Sequence, residues 1–288
     1  MDMPTQALTW SQIGATAFTW GTVLAELAFA LGYLYGLRRL AREGKAWPRV
    51  RSVCAGLGLL VTVIAVNSVV GVYDMSLFWD HMVQHLALVM VAAPLLAFGA
   101  PLQLLREASS GRLSLAIERF VASRPGRLLG HPATSFIAYG ITIPVYHLTG
   151  LFNGCLTSMA QHRVEQVAFL FVGYLFWRQV AGIEPTKPLT PPMRFVYVLL
   201  AVPVDSFTGL ALTMEKRNPF PAYGAMHMPW MPRIIDDIHL GGGIMWIGGD
   251  LLMMAVLIPV AVLWVRFEAV RTAELDARLD AERAAEQA

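Results

Sequence analysis

Seven histidines carry most of the chemistry this sequence offers: His81, His85, His131, His147, His162, His227 and His239. His81 and His85 are spaced i,i+4, so on a helix both imidazoles leave one face and can converge on one ion. His162 and Glu165 are i,i+3 and share a face in the same way. A carboxylate one turn inside an apolar segment needs a proton, a cation or a hydrogen-bond donor. Met226, His227 and Met228 place a thioether on either side of an imidazole, a soft donor set suited to Cu(I) and unlike the hard oxygen set of Mg2+ or Ca2+. Each motif also has a plainer use: interfacial hydrogen bonding for the histidine pair, loop packing for the methionines. Asp205, between Pro203 and Gly209, is the intramembrane carboxylate best placed for a function. Glu26, Asn67 and Asp250 read as groups that hydrogen-bond from helix to helix.

These residues must be positioned by a membrane bundle. The chain has 288 residues, 56% hydrophobic and 15% charged, with a mean hydropathy of +0.53. Soluble domains carry about 25% charged residues. No Asp, Glu, Lys or Arg occurs between Leu128 and His162. A disordered chain, a nucleic-acid binder and a typical cytosolic enzyme are all excluded, and the expected class is an all-α polytopic membrane protein. Seven segments reach the length of about 20 apolar residues that a span needs: 18–37, 52–71, 81–101, 132–150, 163–181, 194–213 and 240–265. Lys and Arg alternate between the connections, eighteen on one side and four on the other. By the positive-inside rule this predicts an outer N-terminus and a cytoplasmic C-terminus. The membrane domain is expected over 1–266 and a cytoplasmic helical tail over 267–288. Residues 111–122 read as an amphipathic helix on the inner leaflet. The Pro-rich stretch from Glu184 to Pro192 reads as a rigid turn.

In this topology only His131 is cytoplasmic, and the other six histidines gather at the outer face. Several chemistries fall away. No Lys lies inside a span, so there is no retinal Schiff base, and no protease motif or phosphate-binding glycine loop is present. Cys54 and Cys155 are expected a bilayer core apart, about 30 Å, too far for a disulfide. With no basic residue before Arg38, no cleaved signal peptide is expected.

The separated motifs form an order that resembles a known family. His81-Met-Val-Gln-His85 precedes an apolar run with Ala93-Pro94 and Gly99-Ala-Pro101. Tyr146-His147 closes the fourth span, and Gly173 to Trp177 lies in the fifth. Pro219 to Tyr223 stands in the outer loop, and Asp237-Ile-His239 with Gly241, Gly242 and Trp246 opens the seventh. From Tyr73 to Trp264 the chain resembles the multi-spanning CtaG-type cytochrome c oxidase assembly factors. The resemblance implies a multi-pass protein of the bacterial plasma membrane, not an enzyme. Such a protein works with cytochrome c oxidase subunits or other assembly factors to mature the copper-containing oxidase. It points to His81, His85, His147, Glu165 and Asp237. Two positions depart from the family pattern: Gln166 stands where a second histidine is usual, and Ile238 where a glutamine is usual. The expected ligand set for copper, as Cu(I), is therefore His81, His85, His147, His162, Met226, His227 and Met228. Glu165, Asp237, His239 and Asp205 would orient the ligands or balance charge. A b-type heme protein and a copper or proton transporter are the alternative readings.

Overall fold

The computed structural model describes residue 4, residues 6–183 and residues 188–287; the core of the Pro-rich turn, 184–187, lies outside the described residues. Among the described residues all regular structure is helical. The order is α1 (Trp20–Arg42), α2 (Arg49–Asn67), α3 (Val69–Tyr73), α4 (Phe78–Leu86), α5 (Ala93–Gly99), α6 (Pro101–Ala108), α7 (Gly111–Ala122), α8 (Arg124–Gly130), α9 (Pro132–Leu148), α10 (Leu151–Thr157), α11 (Met159–Ala181), α12 (Pro191–Thr213), α13 (Pro221–Ala225), α14 (Ile234–Gly243) and α15 (Gly249–Glu286). Two wider π-helical segments join neighbours without a break: Ala87–Ala92 between α4 and α5, and Ile244–Gly248 between α14 and α15.

Five helical runs are long and apolar enough to cross a membrane: Trp20–Arg42, Arg49–Tyr73, Phe78–Ala108, Pro191–Thr213 and Ile234–Glu286. A sixth forms if α9 and α10, bent by 68° at their junction, count as one. The segment expected at 163–181 is helical within α11 but is not among them. Glu165, Gln166, Arg178 and Gln179 dilute its hydropathy, and all four are buried. The protein therefore buries the four polar side chains of this long helix against the rest of the bundle. The apolar residues Leu24, Leu31, Leu251 and Ile258 of α1 and α15 face outward, as lipid-facing residues must.

Local sequence explains the helix boundaries. Pro132 occupies the first turn of α9, where a missing N–H costs nothing, and His131 Nδ1 accepts from Ala133 N at 3.2 Å as the cap. Ala100 adopts a left-handed conformation, φ 49°, and with Pro101 it turns the chain from α5 into α6. Helix α7 forms at the expected residues, with Leu113 and Phe120 on an exposed apolar face. Helix α15 runs through Arg266 unbroken, so the tail extends the last span.

The core lies among α4, α5, α9, α11, α12 and α14. Close approach depends on glycine at two points. A Cβ on Gly209 of α12 would meet Gly242 O and Trp246 N at 2.7 Å, and one on Gly241 of α14 would meet the Phe78 ring at 2.4 Å. Small residues let helix backbones approach closely inside a membrane bundle.

Candidate metal centre

Helix α4 carries His81 and His85 one turn apart, and its start is fixed by Asp237 of α14. Asp237 accepts from Phe78 N at 2.9 Å and from Trp79 N at 3.0 Å, and the Tyr223 hydroxyl closes on the same carboxylate. A buried carboxylate capping two first-turn N–H groups satisfies donors that would otherwise be orphaned and complements the helix dipole. Asp237 thus sets the position of the helix that bears the histidines.

Glu165 of α11 meets that face. Its Oε1 stands 3.5 Å from His81 Nε2 and 3.5 Å from His85 Nε2. His162, one turn before it, places Nδ1 3.4 Å from Oε2. His147, near the end of α9, packs ring-to-ring with His85 at 5.1 Å. His85 also stacks on Phe169 at 4.0 Å. All four histidines and Glu165 are buried.

Hydrogen bonding fixes which nitrogens are available. His81 Nδ1 lies 3.2 Å from Asp74 O, and His147 Nδ1 lies 2.8 Å from Ile143 O. A carbonyl oxygen only accepts, so in both rings Nδ1 carries the proton and Nε2 keeps a lone pair. Those Nε2 atoms, both nitrogens of His85 and both oxygens of Glu165 have no hydrogen-bond partner. At 3.5 Å the imidazole–carboxylate contacts are too long for hydrogen bonds. The spacing suits a shared ion: ligand atoms about 2.0–2.1 Å from one tetrahedral centre stand about 3.4 Å apart. The donor atoms of His81, His85 and Glu165 all lie within 4.8 Å of one another. A group of buried, unpartnered nitrogen and oxygen donors therefore fits a metal ion.

A second polar layer orients the first. Asp74, just after α3, accepts through Oδ2 from His162 Nε2 at 2.9 Å and from Gln84 Nε2 at 2.6 Å. Gln84 Nε2 also donates to Ala65 O at 2.9 Å, tying α2 to α4. Gln166, where the family pattern has histidine, donates to Gln84 Oε1 at 3.1 Å. Cys155 of α10 is buried and interacts electrostatically with Glu165. Asp74, Gln84 and Cys155 are not among the site residues expected from the sequence, where Gln84 enters only within the His81–His85 motif and Cys155 only as a thiol too far from Cys54 to pair. For Asp74 the available signal was an acidic residue seven positions before His81 at the outer end of an apolar run.

Other expected residues fall elsewhere. His227 is exposed, and Met226 and Met228 are half-buried in the loop between α13 and α14, with Met226 packed on the main core. His239 Nε2 is bonded to Glu215 O at 2.7 Å. Asp205 lies deeper, where its Oδ2 accepts from the Tyr139 hydroxyl at 2.6 Å. Glu26 accepts from Asn67 at 2.7 and 2.8 Å, and Asp250 accepts from Ser206 at 2.8 Å, so both are helix-to-helix contacts. Cys54 and Cys155 are free thiols.

An all-helical membrane bundle with an inward-facing His/Glu cluster is the class this geometry defines. The chain belongs to the cytochrome c oxidase caa3 assembly factor family (Caa3_CtaG), which it matches over residues 31–267. It is 32% identical over 251 residues to an uncharacterized protein of Mycobacterium bovis and to one of Mycobacterium tuberculosis, covering 84% of this chain and 38% of each relative. It is 31% identical over 265 residues to an uncharacterized protein of Mycobacterium leprae, covering 89% of this chain and 39% of the relative. The chain thus spans under two fifths of the length of these curated relatives. No solved structure matches it significantly.

Proposed function

We propose that the protein binds copper, as Cu(I), at the His81–His85–Glu165 cluster and helps deliver or insert it into a heme–copper oxidase during assembly. The observation that carries this reading is the single Glu165 oxygen held 3.5 Å from two unpartnered imidazole nitrogens, all of them buried. Leaving such groups without partners in an apolar interior costs several kcal/mol in sum, a cost that a bound cation offsets. His147 and His162 stand next to the three and would complete or orient the site. The copper is cargo, and the protein performs no covalent step.

The same reading places seven spans in the bacterial plasma membrane, with α9 and α10 as one and α11 as another. It sets the N-terminus outside and the C-terminus in the cytoplasm. The Lys and Arg asymmetry, together with the five long apolar runs and the bent α9–α10 pair, supports this arrangement, and the 23-residue α11 is taken as the remaining span. It puts the cluster near the outer face, where oxidase subunits or further assembly factors would dock. The close ring packing supports an ion over a heme, because the cavity bordering His85 and His147 has a volume of only about 20 Å3.

The test is titration of the purified protein with Cu(I) against a competing chelator. The doubly substituted His81→Ala, His85→Ala protein should lose the binding seen in the wild type. Copper affinity equal to wild type in that variant would sink the assignment.

A further inference from the structure

Next to the cluster, bordered by His85 and His147, lies a small cavity of about 20 Å3. That is room for one water-sized guest and for no organic ligand. Its wall includes Met82, His85, Met90, His147, Asp205 and Met245. Three methionines line it together with His147, whose Nε2 is a buried lone pair without a partner. Single methionines are ordinary core filler. Three of them around one cavity with an unpartnered imidazole form a soft donor set of the kind that selects Cu(I).

Four of the helical runs around the cavity carry a π-helical segment or an internal proline near it. Met90 lies in the π-helical segment Ala87–Ala92, and Met245 lies in the other, Ile244–Gly248. Asp205 follows the internal Pro203 of α12 by two residues, and His147 follows the internal Pro144 of α9 by three. π-Helical turns recur at functional sites. Irregular backbone at membrane depth is tolerated where it lines a cavity or is buried in protein. Four such departures in four different spans converge on one 20 Å3 space.

His85 connects this space to the cluster. Its Nε2 faces Glu165 at 3.5 Å, while Nδ1, on the other side of the ring, is also buried and unpartnered. A neutral imidazole coordinates through one nitrogen at a time. A swing of this ring would carry an ion from one set of ligands to the next.

We propose that the cavity is a second, deeper site for a soft monovalent metal ion, held by His147 and the thioethers of Met82, Met90 and Met245. Asp205 balances its charge and His85 passes the ion between the two sites. The ion moves as Cu(I) throughout, with no change of oxidation state. This inference rests on the copper reading of the outer cluster and extends it into the membrane.

Full-length protein in lipid nanodiscs, titrated with Cu(I) against a chelator and read by X-ray absorption at the copper edge, tests it. The wild type should take up a second equivalent, with sulfur scattering in the copper shell. The Met90→Leu, Met245→Leu protein, nearly unchanged in core volume, should keep the first equivalent and lose the second together with the sulfur signal. His81→Ala should do the reverse. If the double leucine variant keeps both equivalents and the sulfur signal, the deep site is wrong while the outer assignment stands. If the wild type takes up no Cu(I), the outer assignment fails and this inference with it. Met245→Leu alone serves where the double variant does not fold, and loss of the second equivalent is again the expected result.

Discussion

Glu165 Oε1 stands the same 3.5 Å from Nε2 of His81 and from Nε2 of His85, and neither contact is a hydrogen bond. Three donors are thus held apart at ligand spacing. Glu165→Gln tests what the carboxylate does there. The amide keeps the shape, removes the charge and offers N–H groups that would occupy the imidazole lone pairs. Affinity for Cu(I) should fall about 10–100-fold, the loss usual when a group supporting a metal site is removed. The unfolding midpoint without metal should not fall, since an unpaired buried charge has been removed. Unchanged copper affinity would assign Glu165 a purely structural role.

The cluster depends on a carboxylate that does not touch it. Asp237 holds the first turn of α4 through Phe78 N and Trp79 N. Asp237→Ala leaves the Trp79 N–H without its acceptor, while Phe78 N keeps the Tyr223 hydroxyl and that hydroxyl keeps Ser76 O. The cost should be about 1–3 kcal/mol, visible as a lower thermal midpoint in detergent. Copper binding should weaken as well, because the frayed turn runs straight into His81. Tyr223→Phe, which leaves both N–H contacts of Asp237 in place, should cost less. An Asp237→Ala protein with wild-type midpoint and affinity would show that α4 is held by packing alone.

Much of this centre was legible in the sequence, for a definite reason. The i,i+4 spacing of His81 and His85 and the i,i+3 spacing of His162 and Glu165 are helical facts, and any helix at those positions produces the shared faces. That the two faces meet is a tertiary fact that no local pattern encodes. Asp74 is not legible in the same way because the partner that ties it to Glu165's helix comes from far along the chain. His162 lies 88 residues away, and the contact exists only because α3 ends beside α11. The π-helical segments were equally hidden, since Ala87–Ala92 reads as continuous apolar helix. Helix α11 shows the opposite case. Its buried polar residues make it fail as a span by hydropathy, yet two of them, Glu165 and Gln166, build the site.

The loop of Met226, His227 and Met228 separates binding from transfer. His227 is exposed and lies outside the buried donor group. His227→Ala, or Met228→Leu, should leave equilibrium copper affinity within about a factor of two, as befits a surface change. If this loop is the point of uptake or hand-off, the rate of copper transfer to a soluble acceptor should drop while affinity holds. Stopped-flow transfer alongside equilibrium titration distinguishes the two. Equal loss of rate and affinity would mean that the loop folds over the cluster as a ligand.

Asp205 of α12 and Met245, in the π-helical segment that follows α14, both line the deep cavity, and the close seam between α12 and α14 lies about one turn from each of them. There Gly209 and Gly242 lie back to back, with each Cβ position 2.7–2.8 Å from the other's carbonyl oxygen. Gly209→Ala inserts a methyl group against backbone atoms, which cannot swing aside as a side chain can. The helices must separate, and overpacking of this kind costs about 1–3 kcal/mol. The same separation would shift Met245 relative to Asp205 across the cavity. The thermal midpoint should therefore fall, and of the two copper equivalents the sulfur-bound one should be lost first. Gly243→Ala, three residues from the π-helical Trp246 but with nothing within 4 Å of its Cβ position, is the matched control. It should leave both midpoint and binding unchanged. If Gly209→Ala behaved like Gly243→Ala, the close approach of α12 and α14 would not be what holds the cavity in shape.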